Sequence, residues 1–206
     1  MCGRFALHAS AEVVALQFGL DATPSLSPHF NIAPGAEVLL LRGGGAALAR
    51  WGLVPSWARD PATGAKMINA RAETISQKPA FRDAYRRRRC LIPASGFYEW
   101  RSEGGRKQPY YVFPAAGELF AFAGIWERRA DLESCAIVTT GANAAMVPIH
   151  DRMPVILAPA DYVPWLEGAE GLLRPCPAGA IALRRVGRAV NDARNDSAAL
   201  IQPAPR

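Results

Sequence analysis

The second residue of the chain is a cysteine, and its position determines which chemistry it can perform. Once the initiator Met1 is removed, Cys2 carries an α-amine and a thiol on adjacent carbons. Such an amine has a reference pKa of about 7.7–8.0, against ~10.4 for lysine, so more of it is unprotonated near neutral pH. It condenses with aldehydes, and the neighbouring thiol then closes a five-membered thiazolidine in a favourable intramolecular step. Taken alone, a cysteine at position 2 is also explained as an accident of the start codon's surroundings.

Glu99 is the second candidate for chemistry, because it lies among aromatic residues in Phe97-Tyr98-Glu99-Trp100. An aromatic strand should bury much of its surface, and a buried carboxylate is costly to keep charged unless it is paired. A carboxyl group in these surroundings can exchange protons near neutral pH. The alternative is that strand alternation turns Tyr98 and Trp100 inward and Glu99 towards solvent.

Two further segments hold groups suited to proton transfer and to phosphate. His150 lies in a proline-flanked loop of restricted shape, and histidine titrates near physiological pH. Arg152, two residues on, is placed to contact a phosphate or an acidic side chain. Asn69 and Arg71 share one face if their segment is extended, and Arg can grip a phosphate bidentately. Each group has a structural alternative: a lone loop histidine often serves the surface or the fold, and Glu73 can pair with Arg71.

Composition places the chain among ordinary globular proteins with excess positive charge. Of its 206 residues, 50% are hydrophobic and 20% charged, and the net charge is +6. The sequence has neither a run of apolar residues long enough to span a membrane nor a secretion signal, so we expect a cytoplasmic protein with no membrane partner. The cysteines and histidines are scattered without a C-x-x-C pair, which argues against a zinc site and a disulfide framework.

The positive charge is concentrated in arginine. Five arginines fall within positions 82 to 89, and a second cluster comprises Arg184, Arg185 and Arg188. A basic surface agrees with a polyanionic partner such as nucleic acid. A charge run is also the usual sign of a solvated face, so the clusters alone do not identify the partner.

The elements that must position these groups are short. Ser10 and Gly19 are suited to begin and end a helix, and three prolines make residues 21 to 35 an irregular loop. From Gly96 onward the hydrophobic period shifts towards two, and turns such as Glu103-Gly104-Gly105 separate the strands. Because the strands and helices do not alternate as βαβ units, the pattern predicts one α+β domain on a curled antiparallel sheet.

Together, eight segments of the chain resemble the SRAP family (SOS-response-associated peptidase, or abasic-site processing, proteins). They occur in family order and are Met1-Cys2-Gly3-Arg4-Phe5, Asn31-Ile32-Ala33-Pro34, Trp51-Gly52-Leu53-Val54-Pro55-Ser56-Trp57, Asn69-Ala70-Arg71-Ala72-Glu73-Thr74, Cys90-Leu91-Ile92-Pro93, Gly96-Phe97-Tyr98-Glu99-Trp100, Thr139-Thr140 with Asn143, and His150-Asp151-Arg152-Met153-Pro154. The resemblance implies a single domain over residues 1–206, with a barrel-like sheet, flanking short helices and a positive groove for single-stranded DNA.

The resemblance also implies a reaction with an abasic site in single-stranded DNA. The Cys2 amine would form a Schiff base with the sugar aldehyde, and the thiol would close a thiazolidine that cross-links the protein to the lesion and shields it. Glu99 would move protons, His150 would act as acid and base on the sugar oxygen and in cross-link reversal, and Asn69 would hold the sugar or the N-terminus. The implied DNA-contacting residues are Arg4, Arg71, Arg152 and Arg82 for phosphates, Trp57 and Pro34 for bases, and Thr139 and Thr140.

This mechanism calls for no metal and no cofactor, and its partner is single-stranded DNA that contains abasic sites. We expect a monomer that associates with the nucleoid when bound to damaged DNA. The peptidase in the family name implies self-processing that exposes Cys2. Because only Met1 precedes Cys2, an ordinary aminopeptidase would suffice.

Two other functions stay open. An N-terminal-nucleophile amidotransferase also begins with such a cysteine, whose thiol attacks an amide while the amine acts as base. Such domains commonly feed ammonia to a synthase domain, for which this chain has no room. A non-catalytic single-strand-binding module would use the arginines and aromatics alone, and its binding would not depend on an aldehyde.

Overall fold

A closed ring of five β-strands forms the centre of the fold. The computed structural model describes residues 2–43, 45–117 and 119–204. Its strands are, in chain order, β1 (Phe5–Leu7), β2 (His29–Ile32), β3 (Glu37–Arg42), β4 (Gly45–Trp51), β5 (Asn69–Arg71), β6 (Arg89–Ala94), β7 (Gly96–Glu103), β8 (Arg106–Pro114), β9 (Phe120–Arg129), β10 (Leu132–Gly141), β11 (Arg152–Pro154), β12 (Ile156–Leu157) and β13 (Ile181–Arg185). The α-helices are α1 (Ala11–Phe18), α2 (Arg82–Arg87) and α3 (Tyr162–Leu166), and the 3-10 helices are Pro61–Lys66, Pro159–Asp161, Ala178–Ala180, Arg188–Asn191 and Ala198–Ile201.

The ring closes because β10 is paired along both edges. β10 pairs with β4, β4 with β3, β3 with β6, β6 with β9, and β9 returns to β10. The second half of β10 runs past the ring and pairs with β5 on one edge and β11 on the other. The predicted α+β domain with a barrel-like sheet is therefore confirmed, with one correction: β10 runs parallel to β4 and to β5.

A second sheet, in the order β13-β8-β7-β1-β2, holds the N-terminal strand against the ring. Phe5 of β1 lies opposite Ile32 of β2 and Phe97 of β7. Its ring packs edge-on against Trp51 of β4, at a centroid distance of 5.1 Å, and against Phe122 of β9, at 6.1 Å. These buried aromatic contacts fix β1, and the residues immediately before it, at the junction between the two sheets.

The predicted end signals of the first helix are confirmed, whereas the loop that was expected after it is wrong in part. The Ser10 hydroxyl caps α1, and Gly19 ends that helix at φ 63°, a left-handed conformation that glycine adopts at little cost. Within the loop predicted for residues 21 to 35, His29–Ile32 forms β2, because β1 offers these residues a strand partner. No helix in the described part of the chain is long and apolar enough to cross a membrane.

Candidate functional site

Cys2 lies just before β1, where the second sheet meets the ring, and its side chain is fully buried. Its carbonyl oxygen accepts a hydrogen bond of 2.7 Å from Nδ2 of Asn69, the first residue of β5. Asn69 in turn lies opposite Ile137 of β10, so this bond ties the N-terminal residue to the long strand of the ring. The Oδ1 atom of Asn69 is buried without a hydrogen-bond partner among the described residues, which leaves an acceptor for a donor entering the site.

Glu99 belongs to the same site as Cys2. It lies on β7, beside β1, where the Tyr98 N–H donates to the Arg4 carbonyl at 2.9 Å. Its side chain is only 3% exposed, so the predicted burial is confirmed and the solvent-facing alternative is wrong. Burial, reinforced by the negative charge of Glu99, raises the pKa of the Cys2 thiol far above its ordinary value. The Cys2 side chain is therefore a neutral thiol at pH 7.

The two faces of β7 are buried for different reasons. Tyr98 packs in a cluster with Val190 and Leu200 from the C-terminal part of the chain. Phe97 faces the main core, in the same cluster as Cys2. Because alternate residues of a strand share a face, Glu99 lies on the Phe97 side. The alternation argument assumed that only one face of β7 is buried; in the structure the main core covers the Glu99 face and the C-terminal residues cover the Tyr98 face.

A charged cluster lies at the ends of β5 and β10. The two terminal nitrogens of Arg152 donate to the two carboxylate oxygens of Glu73 at 2.9 and 3.0 Å, and one of them also donates to the Thr139 carbonyl at 2.7 Å. The Arg152 hydrogen bonds hold the pKa of the Glu73 carboxyl below its usual range. Arg71 lies opposite Thr139 on β5 and is exposed. The hydrogen-bonded partner of Glu73 is thus Arg152, not the Arg71 considered from sequence.

His150 lies two residues before Arg152, and its Nδ1 atom has two neighbours that require different protonation states. The Arg152 N–H is 3.0 Å away and can only donate, so it needs an unprotonated Nδ1. The Asp151 Oδ1 atom is 2.9 Å away and needs a protonated one. An unprotonated Nδ1 accepts from the Arg152 N–H, and an Nδ1 that carries a proton donates to Asp151. The ring, 28% exposed, is placed to exchange a proton with a bound molecule.

The Arg4 side chain is held by hydrogen bonds to Asn31 and to Val190 in the C-terminal part of the chain. One terminal nitrogen donates to Asn31 Oδ1 at 2.7 Å and to the Val190 carbonyl at 2.8 Å, and burial lowers the pKa of Arg4. Asn31 itself donates to the carbonyls of Asp192 and Asn195, at 3.1 and 2.7 Å. Sequence reasoning missed this anchor, although Asn31 stood in one of the recognised segments. Phosphate binding by Arg4 stays a prediction.

The other residues predicted to contact DNA lie either on the surface or buried on β10. Trp57 is 62% exposed, and Arg82 at the start of α2 is also exposed. Pro34 is exposed and precedes Gly35, whose φ of 90° gives the proline–glycine pair of a type II turn. Thr140, like Thr139, is buried on β10. In the described residues no hydrogen bond joins Trp57, Pro34 or Arg82 to the Cys2–Asn69 pair.

The arginine run from 82 to 89 divides between the core and the surface. Arg89 is 7% exposed, and its guanidinium lies over the rings of Tyr85 and Trp165 at 4.3 and 4.5 Å. Arg88 donates to Glu127 at 2.6 Å. The exposed members of the run are Arg82, Arg86 and Arg87. Only part of the run is therefore free to meet a polyanion.

The other cysteines serve the core. Cys90, Cys135 and Cys176 are free and buried, and burial raises the pKa of the Cys135 thiol to about 12. Over residues 2–43, 45–117 and 119–204, no three His, Cys, Asp or Glu side chains gather into a group that could hold a metal ion. Met1 lies outside the described residues, so its removal stays a prediction.

Comparison with known proteins identifies relatives over almost the whole chain. Residues 1–193 match the family described as SOS response associated peptidase (SRAP). The abasic site processing protein YoaM of Bacillus subtilis (strain 168) is 40% identical over 221 residues, covering 98% of this chain and 97% of YoaM. The abasic site processing protein YedK of Escherichia coli (strain K12) is 33% identical over 225 residues, covering 98% and 100%. A crystal structure of a protein from Bacteroides thetaiotaomicron has a TM-score of 0.88 at 26% identity, covering 99% of this chain and all of that one.

Proposed function

This chain belongs to the SOS response associated peptidase family, and on that premise we propose that it captures abasic sites in single-stranded DNA as a covalent adduct of Cys2. Its relatives YoaM and YedK are abasic site processing proteins. The observation that carries the proposal is the buried site in which Asn69 holds the Cys2 backbone and Glu99 lies close enough to affect the Cys2 thiol. An aminothiol held beside a carboxylate suits an aldehyde, and the ring-opened sugar of an abasic site supplies one.

The reaction proceeds in two steps. After Met1 is removed, the Cys2 amine attacks the aldehyde carbon, and loss of one water gives an imine. The thiol sulfur then adds to the imine carbon, and the thiol proton passes to the nitrogen, which closes the thiazolidine. No electrons are exchanged with another molecule, and the adduct retains every atom of both reactants except one water. Burial of Cys2 favours this order, because a dry site slows hydrolysis of the imine before the thiol adds.

Glu99 and His150 divide the proton transfers. Glu99, beside the thiol, accepts the proton of the Cys2 ammonium, returns it to the hydroxyl that leaves as water, and later relays the thiol proton to nitrogen. His150, whose Nδ1 lies near both the Arg152 N–H and the Asp151 carboxylate, exchanges a proton with the sugar oxygen during ring opening and in reversal of the cross-link. Asn69 positions Cys2 through the carbonyl bond. This is Schiff-base chemistry of the kind an abasic-site lyase uses, and the only peptide bond it requires to be cut is the one after Met1.

The DNA strand is held by phosphate contacts around this site. Arg71 is exposed beside Thr139, and Arg152 lies across β10 from it. Arg4 and Arg82 bind further phosphates, and exposed Trp57 and Pro34 support the neighbouring bases. Thr139 contributes by fixing the Arg152 guanidinium, and Thr140 lies next to it on the same strand.

The raised thiol pKa argues against the amidotransferase alternative. An attack on an amide begins with the sulfur, and here burial and Glu99 both disfavour the thiolate. In the aldehyde reaction the amine acts first, and the sulfur is needed only after the imine has created an electrophile next to it. In that second step Glu99 takes up the thiol proton as the sulfur adds, so no thiolate has to be present beforehand.

The proposal is tested by incubating the protein with an oligonucleotide that carries a single abasic site, followed by denaturing electrophoresis and intact mass measurement. We expect an adduct with the summed mass of processed protein and DNA minus one water. An abasic analogue without an aldehyde, such as a tetrahydrofuran site, should bind and give no adduct. Adduct formation with the analogue, or glutaminase activity without any adduct, would overturn the proposal.

Substitution of Cys2 separates the two steps. Cys2→Ala retains an α-amine and loses the sulfur, so borohydride should trap an imine while no stable adduct accumulates without reductant. A Cys135→Ala variant is the matched control, because it removes a buried cysteine of the core. If Cys2→Ala formed an equally stable adduct without reductant, ring closure by the thiol would be wrong.

A further inference from the structure

The sheet face that carries Glu99 continues past it to the tip of the β7–β8 hairpin. Alternate residues of a strand share a face, so Glu99 is followed on its side of β7 by Arg101 and Glu103. Across the hairpin, Arg106 of β8 lies directly opposite Glu103 and shares its face. On β13, Arg185 lies beside the β8 residue that is opposite Glu99. We call Arg101, Arg106 and Arg185, grouped around Glu103, the hairpin track.

The hairpin that carries this track is tightly built. Gly104 and Gly105 both have positive φ angles, of 55° and 75°, as a two-residue type I′ turn requires. This turn matches the twist of the flanking strands and fixes the pairing of Glu103 with Arg106. The arginines therefore project from a regular ladder and not from a loose loop, so their separation is set by the strands.

The charges of the hairpin track are unevenly matched. Glu103 lies 3.8 Å from the nearest guanidinium nitrogen of both Arg101 and Arg185 and accepts a hydrogen bond of 2.9 Å from the Tyr110 hydroxyl. A separation of 3.8 Å exceeds hydrogen-bond length, so these guanidinium groups keep donors for another acceptor. The side chains of Arg101 and Arg185 are 48% and 51% exposed. Glu103 thus lies near the guanidinium groups of Arg101 and Arg185 only, and with Arg106 on the same face positive charge is left in excess.

A phosphodiester backbone fits this arrangement. Residues two apart on a strand are about 6.7 Å apart, comparable with the separation of successive phosphates in an extended single strand. Arginine is suited to phosphate because its planar fork can donate two parallel hydrogen bonds. The track also begins beside Glu99, so a strand whose lesion reached Cys2 would meet it on leaving the site. It lies on a different sheet from Arg71 and Arg152 and would hold a different stretch of DNA.

We infer that the hairpin track binds, without regard to sequence, the phosphates of single-stranded DNA on one side of the abasic site. The inference rests on the proposed function, since it assumes that the lesion enters beside Glu99. It adds a second binding segment to the one around Arg71 and Arg152. Glu103 limits the affinity of the track, because this carboxylate competes with incoming phosphates for Arg101 and Arg185.

The salt dependence of binding tests the inference with two adjacent residues. Arg106 lies on the track face, whereas Lys107 is opposite Ser102 and projects from the other face of the same hairpin. With a single strand that carries a tetrahydrofuran site, Arg106→Gln should reduce the slope of log K against log salt by about 0.7, the value for one phosphate contact. Lys107→Gln should leave the slope as in the wild type, although it removes the same charge.

Two further variants sharpen the test. The triple change of Arg101, Arg106 and Arg185 to glutamine should lower the slope by about 2 and abolish the gain in affinity when the strand is lengthened on one side of the lesion. Glu103→Gln keeps an acceptor for Tyr110 and removes the opposing charge, so affinity should rise several-fold at low salt. A merely structural role for Glu103 predicts a loss of affinity instead. Thermal melting of each variant checks that the fold is retained.

The outcomes separate this inference from the proposed function. If wild-type protein forms the adduct with aldehyde-bearing DNA while Arg106→Gln and Lys107→Gln share one slope, the inference is wrong and the function stands. Preferential binding of a polyglutamate peptide over DNA at the track, lost in the triple variant, would also overturn it. If no adduct forms in any condition, the proposed function fails whatever the slopes.

Discussion

Replacing Glu73 by glutamine is expected to strengthen the binding of single-stranded DNA, because Glu73 occupies the guanidinium group that a phosphate would use. In the structure both carboxylate oxygens of Glu73 accept hydrogen bonds from Arg152, at 2.9 and 3.0 Å. Glutamine is nearly isosteric but neutral, so it releases Arg152 from this competition. The Thr139 carbonyl, which accepts from Arg152 at 2.7 Å, keeps the guanidinium in place. The variant should therefore lose a competitor without losing the position of Arg152.

The size of the effect follows from the exposure of the pair. The Glu73 side chain is 53% exposed and that of Arg152 is 14% exposed, so solvent weakens their attraction. Ion pairs of this kind contribute about 0.2–1 kcal/mol, and the bidentate geometry favours the upper end. Releasing about 1 kcal/mol corresponds to roughly a fivefold decrease in Kd. The free energy of unfolding should fall by no more than about the same amount.

The pH dependence of this gain has a definite sign. Arg152 holds the pKa of Glu73 below its usual range, so the pair is intact above the reference value for glutamate of about 4.3. It is lost only as the pH falls through the lower value of the folded protein. The advantage of Glu73→Gln over wild type should therefore be full at neutral pH and shrink in acid, where wild-type Glu73 becomes neutral too.

Fluorescence anisotropy with a tetrahydrofuran-containing single strand at low salt measures this effect directly. Glu167→Gln, which removes a carboxylate just after α3, is the control for a change in net charge alone. Arg152→Gln should weaken binding. If Glu73→Gln weakened binding as much as Arg152→Gln does, Glu73 would be a positioning partner of Arg152 and the reasoning would be refuted.

Further predictions concern the chemistry and the framework of the site. Glu99→Gln should slow adduct formation by about 100-fold at saturating DNA while changing the Kd for the tetrahydrofuran analogue little; an unchanged rate would remove Glu99 from the chemistry. Asn69→Ala deletes the 2.7 Å bond to the Cys2 carbonyl and should slow the same reaction by about tenfold, a proposal that an unaltered single-turnover rate would contradict. Gly52→Ala should lower the free energy of unfolding by about 2–3 kcal/mol, because at φ 133° its Cβ would lie 2.7 Å from a backbone oxygen. Gly179→Ala, with open space around it, is the control, and equal denaturant midpoints for the two variants would refute the argument.

Local signals in the sequence were sufficient to predict structure where a residue acts through its immediate neighbours. Ser10 and Gly19 bound α1 by capping interactions that need nothing from the rest of the chain. The burial of Glu99 also followed from its aromatic neighbours, although the reason is tertiary. The Glu99 face of β7 packs on the main core beside Cys2, and Val190 with other C-terminal residues covers the opposite face at Tyr98, so both faces are buried. No local period could reveal that cover.

The roles of individual arginines could not be predicted, because they depend on partners far away in the chain. Arg89 is buried by stacking on Trp165, and Arg88 is paired with Glu127, yet both stand in one run with exposed arginines. Arg152 bonds to Glu73, which precedes it by 79 positions. Spacing along the sequence identified suitable chemistry at these positions. The tertiary structure, through helix packing as well as strand pairing, decides which of these charges already have partners.

The bond between Arg4 and Val190 has a consequence for the order in which the protein becomes competent. It joins residues that are 186 positions apart, so the strand next to Cys2 gains this anchor only after nearly the whole chain has been synthesised. Translation delivers the N-terminus first, and folding that depends on such distant contacts comes late. Under the proposed function, the terminus that reacts with the aldehyde therefore leaves the ribosome long before the segment that fixes its strand. In the nascent chain Cys2 is present before Val190, which anchors the neighbouring Arg4. On this proposal, the protein can hold a lesion at Cys2 only after its C-terminal part has been made.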